Sequence, residues 1–237
     1  MLHIMITTIY PTNEEIILAI LELHCNRSTL DLDATYSTGG FYKNGQVPQP
    51  TIKIDINPQT NDTLQADCRD MRLWIPSASI SSMLLDLPFI HAPGKASIMG
   101  NRFSGFKSQQ ELRRVYRGAA EEANRVLVMG GCLIWKAQDI VESGKQNWTH
   151  VFLINFCYLC GFDLKDLFIL GHHKSGIKGH NHDRQVHARK THCYWLVFKK
   201  MRNIPSLLFG VEPGILENPQ DLLDKMSNTI QKKRDAL

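Results

Sequence analysis

The sequence predicts an α/β fold: a mostly parallel sheet with helices on both faces and an antiparallel last strand. Short apolar runs alternate with amphipathic segments along most of the chain, the pattern of strands joined by crossover helices. The last two apolar runs are instead joined by a polar loop, which suits an antiparallel pair. A length of 237 residues with 43% hydrophobic and 21% charged content suffices for one well-packed core.

NEEIILAILELH (13–24) carries apolar residues at helical spacing, with Asn13 as the expected cap. STLDLDAT (28–35) and TIKIDIN (51–57) read as short strands followed by turns, and SSMLLDLPF (81–89) as a strongly apolar one. Ser108-Gln109-Gln110-Glu111 is a capping-box pattern that opens a helix running to about Val128. Gly130-Gly131 is expected to end that helix, with CLIWKAQ (132–138) as the next strand. WTHVFLINFCYLCGF (148–162) reads as a covered helix stopped at Gly161, and DLKDLFIL (163–170) and HCYWLVFKK (192–200) as the closing strands. Their connecting loop has the length of a functional one. From about Asn218 a charged amphipathic helix is expected, and residues 1–237 read as one domain without an inserted target-recognition domain.

No run reaches the ~18 apolar residues of a membrane span. The start, MLHIMITTIYPT, has no basic region followed by an apolar core, so no secretory leader is expected. Six irregularly spaced cysteines in mostly apolar surroundings suit buried thiols in a reducing cytoplasm. The formal charge of +4 permits an anionic partner, and the positives cluster between residues 172 and 202.

In a sheet of this kind, ligands sit beyond the carboxyl ends of the strands. Asp33-Ala34-Thr35-Tyr36-Ser37-Thr38-Gly39-Gly40-Phe41 follows the first strand, and its glycines allow close backbone approach to a ligand. Asp55 comes about twenty residues on, where an acid can hold ribose hydroxyls. Asp67 and Asp70 follow, and then Asp86-Leu87-Pro88-Phe89. Each is separately explicable as a turn or cap. Four of them at four successive strand ends point to a site. No Gly-Lys-Ser/Thr completes a phosphate loop, which disfavours nucleoside triphosphates.

LDLDATYSTGGFYK resembles the first motif of S-adenosylmethionine-dependent amino-methyltransferases that act on nucleic-acid bases. LLDLPF resembles their catalytic Asp-Pro-Pro-Tyr/Phe motif, and HCYWLVFKK their antiparallel final strand. The resemblance covers roughly residues 8–200. It implies a Rossmann-like methyltransferase fold with a seven-stranded sheet and S-adenosylmethionine as cofactor. It further implies that Asp33, Tyr36, Gly39 and Phe41 line the cofactor pocket, Asp55 holds the ribose and Asp67 the adenine edge, with Asp70 as rival. Thr12 and Asn13, in YPTN, match the element covering the methionine end. Leu87 departs from the family by replacing the first proline: it supplies the same carbonyl without the rigidity of a fixed φ.

By the same resemblance the catalytic group is Asp86, Leu87, Pro88 and Phe89. The Asp86 carboxylate and Leu87 carbonyl accept the two N–H bonds of a base amine, stabilising the positive charge that develops on nitrogen. Phe89 stacks on the base and Pro88 shapes the turn. No metal is required. A duplex base must be extruded to reach such a pocket, so Lys95, Arg102, Lys107, Lys174, Lys178, Arg184, Arg189 and Lys190 are the expected backbone contacts. The histidines between 172 and 192 match no common zinc spacing, and Cys157 and Cys160 lie in an apolar helix. The expected activity is methylation of an exocyclic base amine, foremost N6 of adenine in DNA, by a cytoplasmic monomer or homodimer. RNA is the alternative substrate, and a nucleic-acid-binding protein with an inactive core the alternative class.

Overall fold

The computed structural model describes residues 5–89, 108–142, 144–171 and 186–203. The chain divides compactly after Asn203, so the expected tail helix lies outside the described residues. In chain order the elements are β1 (Ile9–Tyr10), α1 (Asn13–Ile20), β2 (Leu32–Asp33), β3 (Ile52–Asp55), β4 (Leu64–Gln65) and β5 (Ile80–Leu85). Then come α2 (Gln109–Val126), β6 (Leu127–Ala137), β7 (Ile140–Glu142), β8 (Lys145–Asn147), α3 (Thr149–Leu159), β9 (Phe162–Gly171) and β10 (His192–Lys200).

Among the described residues, eight strands form one sheet in the order β1-β9-β10-β6-β5-β2-β3-β4, and β7-β8 is a separate hairpin. Strand β10 runs antiparallel to both β6 and β9, and every other neighbouring pair in the large sheet is parallel. This is a Rossmann-like α/β arrangement with the antiparallel last strand that the sequence predicts. The count differs from the expected seven because Ile9–Tyr10 adds to the outer edge of β9. None of the described helices is long and apolar enough to cross a membrane.

Local chemistry explains the element ends, with two corrections. Thr12, not Asn13, caps α1: its side chain accepts the Glu15 N–H at 3.3 Å, and Asn13 is the first helical residue. Ser108 caps α2 through the Glu111 N–H at 3.2 Å, as the capping box predicts. That helix does not run on to Gly130-Gly131. It ends at Val126, where the buried Lys200 ammonium donates to the carbonyls of Asn124 (2.6 Å) and Leu127 (2.9 Å). The glycines lie inside β6, where Gly130 has φ 75° and the pairing with β5 shifts register between Ile80 and Ser82. They form a bulge rather than a helix stop.

The sheet separates two apolar layers. Met83, Leu85, Leu133, Trp135, Phe162 and Phe198 pack with α2 and α3 on one face. Leu84, Ile134, Phe168, Trp195 and Val197 pack with Ile16, Ile17 and Ile20 of α1 on the other. Strands β5, β6 and β10 are covered on both faces, which is why they read as nearly continuous apolar runs. The period-two alternation then fixes what each strand end presents. Asp33 and Asp86 share the α1 side with Leu84, and Leu85 and Leu87 face α2.

Candidate functional site

The carboxyl ends of β2, β3, β4, β5 and β6 lie along one edge of the sheet. Beyond β2 the chain folds around Asp33, which is 1% exposed. Its carboxylate accepts the Thr35 N–H at 2.9 Å, the Thr35 hydroxyl at 3.3 Å and the Tyr42 hydroxyl at 2.8 Å. Burial raises its pKa to about 7 against the pull of these bonds, and the charge of Asp86 adds to the rise. Tyr36 stacks on Tyr42 with ring centres 5.6 Å apart and donates to Gln49 Oε1 at 2.7 Å. Gly39 is required here: φ is +68°, and a Cβ would collide with the Tyr36 hydroxyl. Both Asp33 and Tyr36 are therefore buried supports of the loop.

The other acids occupy the neighbouring strand ends. Asp55 accepts the Ser37 N–H at 2.7 Å and the Asn57 N–H at 2.8 Å, tying the end of β3 to the loop after β2. Ser37 has φ 51°, a left-handed conformation held by that bond. Past β4, Asp67 and Asp70 form an isolated bridge. Burial pushes the Asp67 pKa up, but its bonds to the Arg69 guanidinium and N–H hold it below the usual value. Asp70 is paired with Arg72 at 2.7 Å and lowered to about 2 by that contact. Cys68 is buried between the charges of Asp67 and Asp55, and burial followed by Asp67 pushes its thiol up to about 12. Asp55 and Asp67 thus both lie near the buried Cys68, whereas Asp70 is half-exposed on its arginine.

Beyond β5, the Asp86 N–H donates to Thr35 Oγ1 at 2.8 Å, which fastens this turn to the loop after β2. Asp86 Oδ2 lies 3.2 Å from Lys136 Nζ, with the two side chains 23% and 12% exposed. Burial raises the Asp86 pKa and Lys136 opposes it. The same ammonium sits 5.0 Å from the ring centre of Phe41 and 5.8 Å from that of Trp195, rings that meet edge to face at 5.3 Å. Leu87 is buried in the α2 face of the core, which accounts for an aliphatic side chain where the resembling family has proline. The Pro88 carbonyl accepts the Tyr116 hydroxyl at 2.6 Å, so α2 steadies the turn from below. Phe89 is half-buried at the end of the described segment.

Thr12 is engaged as the cap of α1, and Asn13 Oδ1 is buried without a hydrogen-bond partner among the described residues. Lys95, Arg102, Lys107, Lys174, Lys178 and Arg184 lie outside the described residues. Arg189 is exposed, and Lys190 rests 4.8 Å over the ring of Trp148. No cluster of three potential metal ligands exists among the described residues. At the start of α3, His150 donates its backbone N–H to Asp139 at 3.3 Å, bonds it through Nδ1 at 2.7 Å, and stacks on Tyr194. Sequence reasoning missed Thr35, Tyr42, Lys136 and Trp195. Lys136 left a signal, as the one charged residue in CLIWKAQ.

No family model matches the chain, and no curated protein matches it. Solved structures do. A candidate DNA modification methylase from Thermus thermophilus, complexed with S-adenosyl-L-methionine, is 18% identical over 63% of this chain and 57% of its own, with a TM-score of 0.43. TrmN from Thermus thermophilus is 14% identical over 81% and 50%, with a TM-score of 0.47. A Burkholderia thailandensis 1,6-didemethyltoxoflavin-N1-methyltransferase is 12% identical over 81% and 80%, with a TM-score of 0.47. The chain spans a little over half of the first of these, and at such scores the likeness has no functional weight.

Proposed function

We propose that the chain is an S-adenosylmethionine-dependent methyltransferase that methylates an exocyclic base amine, foremost N6 of adenine in DNA. One observation supports this above the others: the turn Asp86-Leu87-Pro88-Phe89 closes β5 beside the Asp33 loop, and the Thr35–Asp86 bond joins the two at 2.8 Å. A cofactor loop and a base-reading turn must be adjacent for methyl transfer, and the sequence places these motifs 51 residues apart.

The donor set suits the cofactor. Carboxylates at the ends of β3 and β4 offer acceptors for ribose hydroxyls and an adenine amine, and the Gly40 position opens to free space. Asp55 is the ribose residue and Asp67 the adenine one, while Asp33, Tyr36 and Gly39 shape the loop and Phe41 lines it. Thr12 and Asn13 stand at the methionine end. When bound, the cofactor supplies an electrophilic methyl group. The protein's own part is positioning and electrostatics: Asp86 and the Leu87 carbonyl accept the amine N–H bonds, and Phe89 stacks on the base. Exposed Arg189 and the Lys190–Trp148 pair are suited to a nucleic-acid strand near this edge.

DNA and RNA incubated with the protein and methyl-labelled cofactor, then digested to nucleosides for mass spectrometry, test the reading. Label in N6-methyladenine from DNA is expected. Label confined to RNA transfers the reading to an RNA base-amine enzyme. Cofactor binding with no transfer to either polymer identifies an inactive core.

A further inference from the structure

Asp86 does not stand alone at its strand end. Its carboxylate is an acceptor, and the Lys136 ammonium, a donor, bonds it at 3.2 Å. The ammonium carries three protons, so one can hold Asp86 while another remains for a ligand. It is also held still: the faces of Phe41 and Trp195 lie 5.0 and 5.8 Å from it, and its side chain is 12% exposed. Little rotamer freedom is then lost when it makes a further bond.

We infer that Asp86 and Lys136 form a two-pronged reader of an amidine-like edge, an exocyclic amine on a ring carbon whose neighbouring ring nitrogen accepts a hydrogen bond. The inference rests on the role proposed above for Asp86. Adenine and cytosine present that edge on their pairing face, donor and acceptor side by side in the reverse order to Asp86 and Lys136. Asp86 takes an amine N–H and Lys136 donates to the ring nitrogen without the ion pair being broken. Aliphatic amines, hydroxyls and carbon nucleophiles offer no such nitrogen and leave the buried donor unmatched. The 2-amine of guanine is flanked on its pairing face by a ring N–H, which opposes the ammonium. Donation to the ring nitrogen does not activate the amine. Lys136 is therefore a positioning residue, felt in KM more than in kcat.

A substrate cycle tests this. Oligonucleotides carrying adenine or 1-deazaadenine at the acceptor position (cytosine or 3-deazacytosine if cytosine is the acceptor) are compared by kcat/KM with the wild type and with K136M. Losing the ring nitrogen should cost the wild type roughly tenfold or more, because a buried donor is left unpaired. The same change should cost K136M no more than about twofold. K136Q keeps a neutral N–H donor and should retain part of the discrimination, which covers a failure of K136M to fold. Equal losses in wild type and variants overturn the inference and leave Lys136 as charge balance for Asp86. If the wild type transfers no methyl to any of these oligonucleotides, the proposed function itself fails, and the inference falls with it.

Discussion

Thr35 joins the loop after β2 to the turn after β5, and its removal is the sharpest test of the proposed site. The Thr35 hydroxyl accepts the Asp86 N–H at 2.8 Å and donates to Asp33 at 3.3 Å. Thr35→Val keeps the shape and deletes both bonds. The shorter one dominates: a part-buried backbone N–H left without a partner costs about 1–3 kcal/mol, and the longer one adds little. In a chain of this size that is a fall in Tm of roughly 2–12 °C. Thr35→Ser keeps the hydroxyl and should lose far less. Because the same bond sets the height of Asp86 against the loop after β2, the proposed function predicts that Thr35→Val also slows methyl transfer by about ten- to a hundredfold, with cofactor affinity changed much less. Calorimetry and single-turnover transfer on the three proteins check both figures. If Thr35→Val melts and turns over like the wild type, the bond does not position the turn, and the geometric case for the site is lost.

Three further expectations follow from the same edge. Asp86→Ala should abolish methyl transfer while leaving the cofactor Kd nearly unchanged in calorimetric titration, and unimpaired turnover would refute the assigned role. Asp55→Ala should instead weaken cofactor binding; it also frees the Ser37 N–H from its partner, so an unchanged Kd would remove Asp55 from the ribose position. Asp33 gives a pH signature. Its folded pKa of about 7 stands above the unfolded carboxyl value, so folding takes up a proton between the two. Its contribution is complete below about pH 4, falls as pH rises through 7, and is flat beyond; a few kcal/mol is the scale. Asp33→Asn should flatten that decline in urea unfolding across pH 4–8, and an unaltered slope would show that Asp33 is ionised throughout.

How much of this was legible in the sequence depended on whether a residue's role was local. Ser108 and Glu111 cap a helix from within their own turn, so α2 starts where the capping box says. β10 carries its own signal too: its apolar and aromatic run fits a strand covered on both faces. β2 was overestimated, because only Leu32–Asp33 are regular strand while the ladder continues through single bonds such as Ala34 N–H to the Leu84 carbonyl. β4, with Leu64 and Gln65 alone, has no periodicity to read. Gly130-Gly131 looked like a helix stop because glycine serves both uses, and only the buried Lys200 behind α2 shows that the helix is already closed. Lys136 escaped because its meaning lies across the sheet, in Asp86, Phe41 and Trp195, residues from three other parts of the chain.

The position of β10 sets the order in which the molecule can be completed. It is the last described strand to be synthesised, yet it lies between β6 and β9, and β1, the first, attaches only through β9. A nascent chain therefore carries an open β6 border, with the β1–β9 pair unattached to the rest of the sheet, until Lys200 has left the ribosome. Closure must wait for contacts of long sequence separation, the slow kind. Chains stopped within 192–200 should accordingly aggregate along β6 rather than persist as shortened folded proteins.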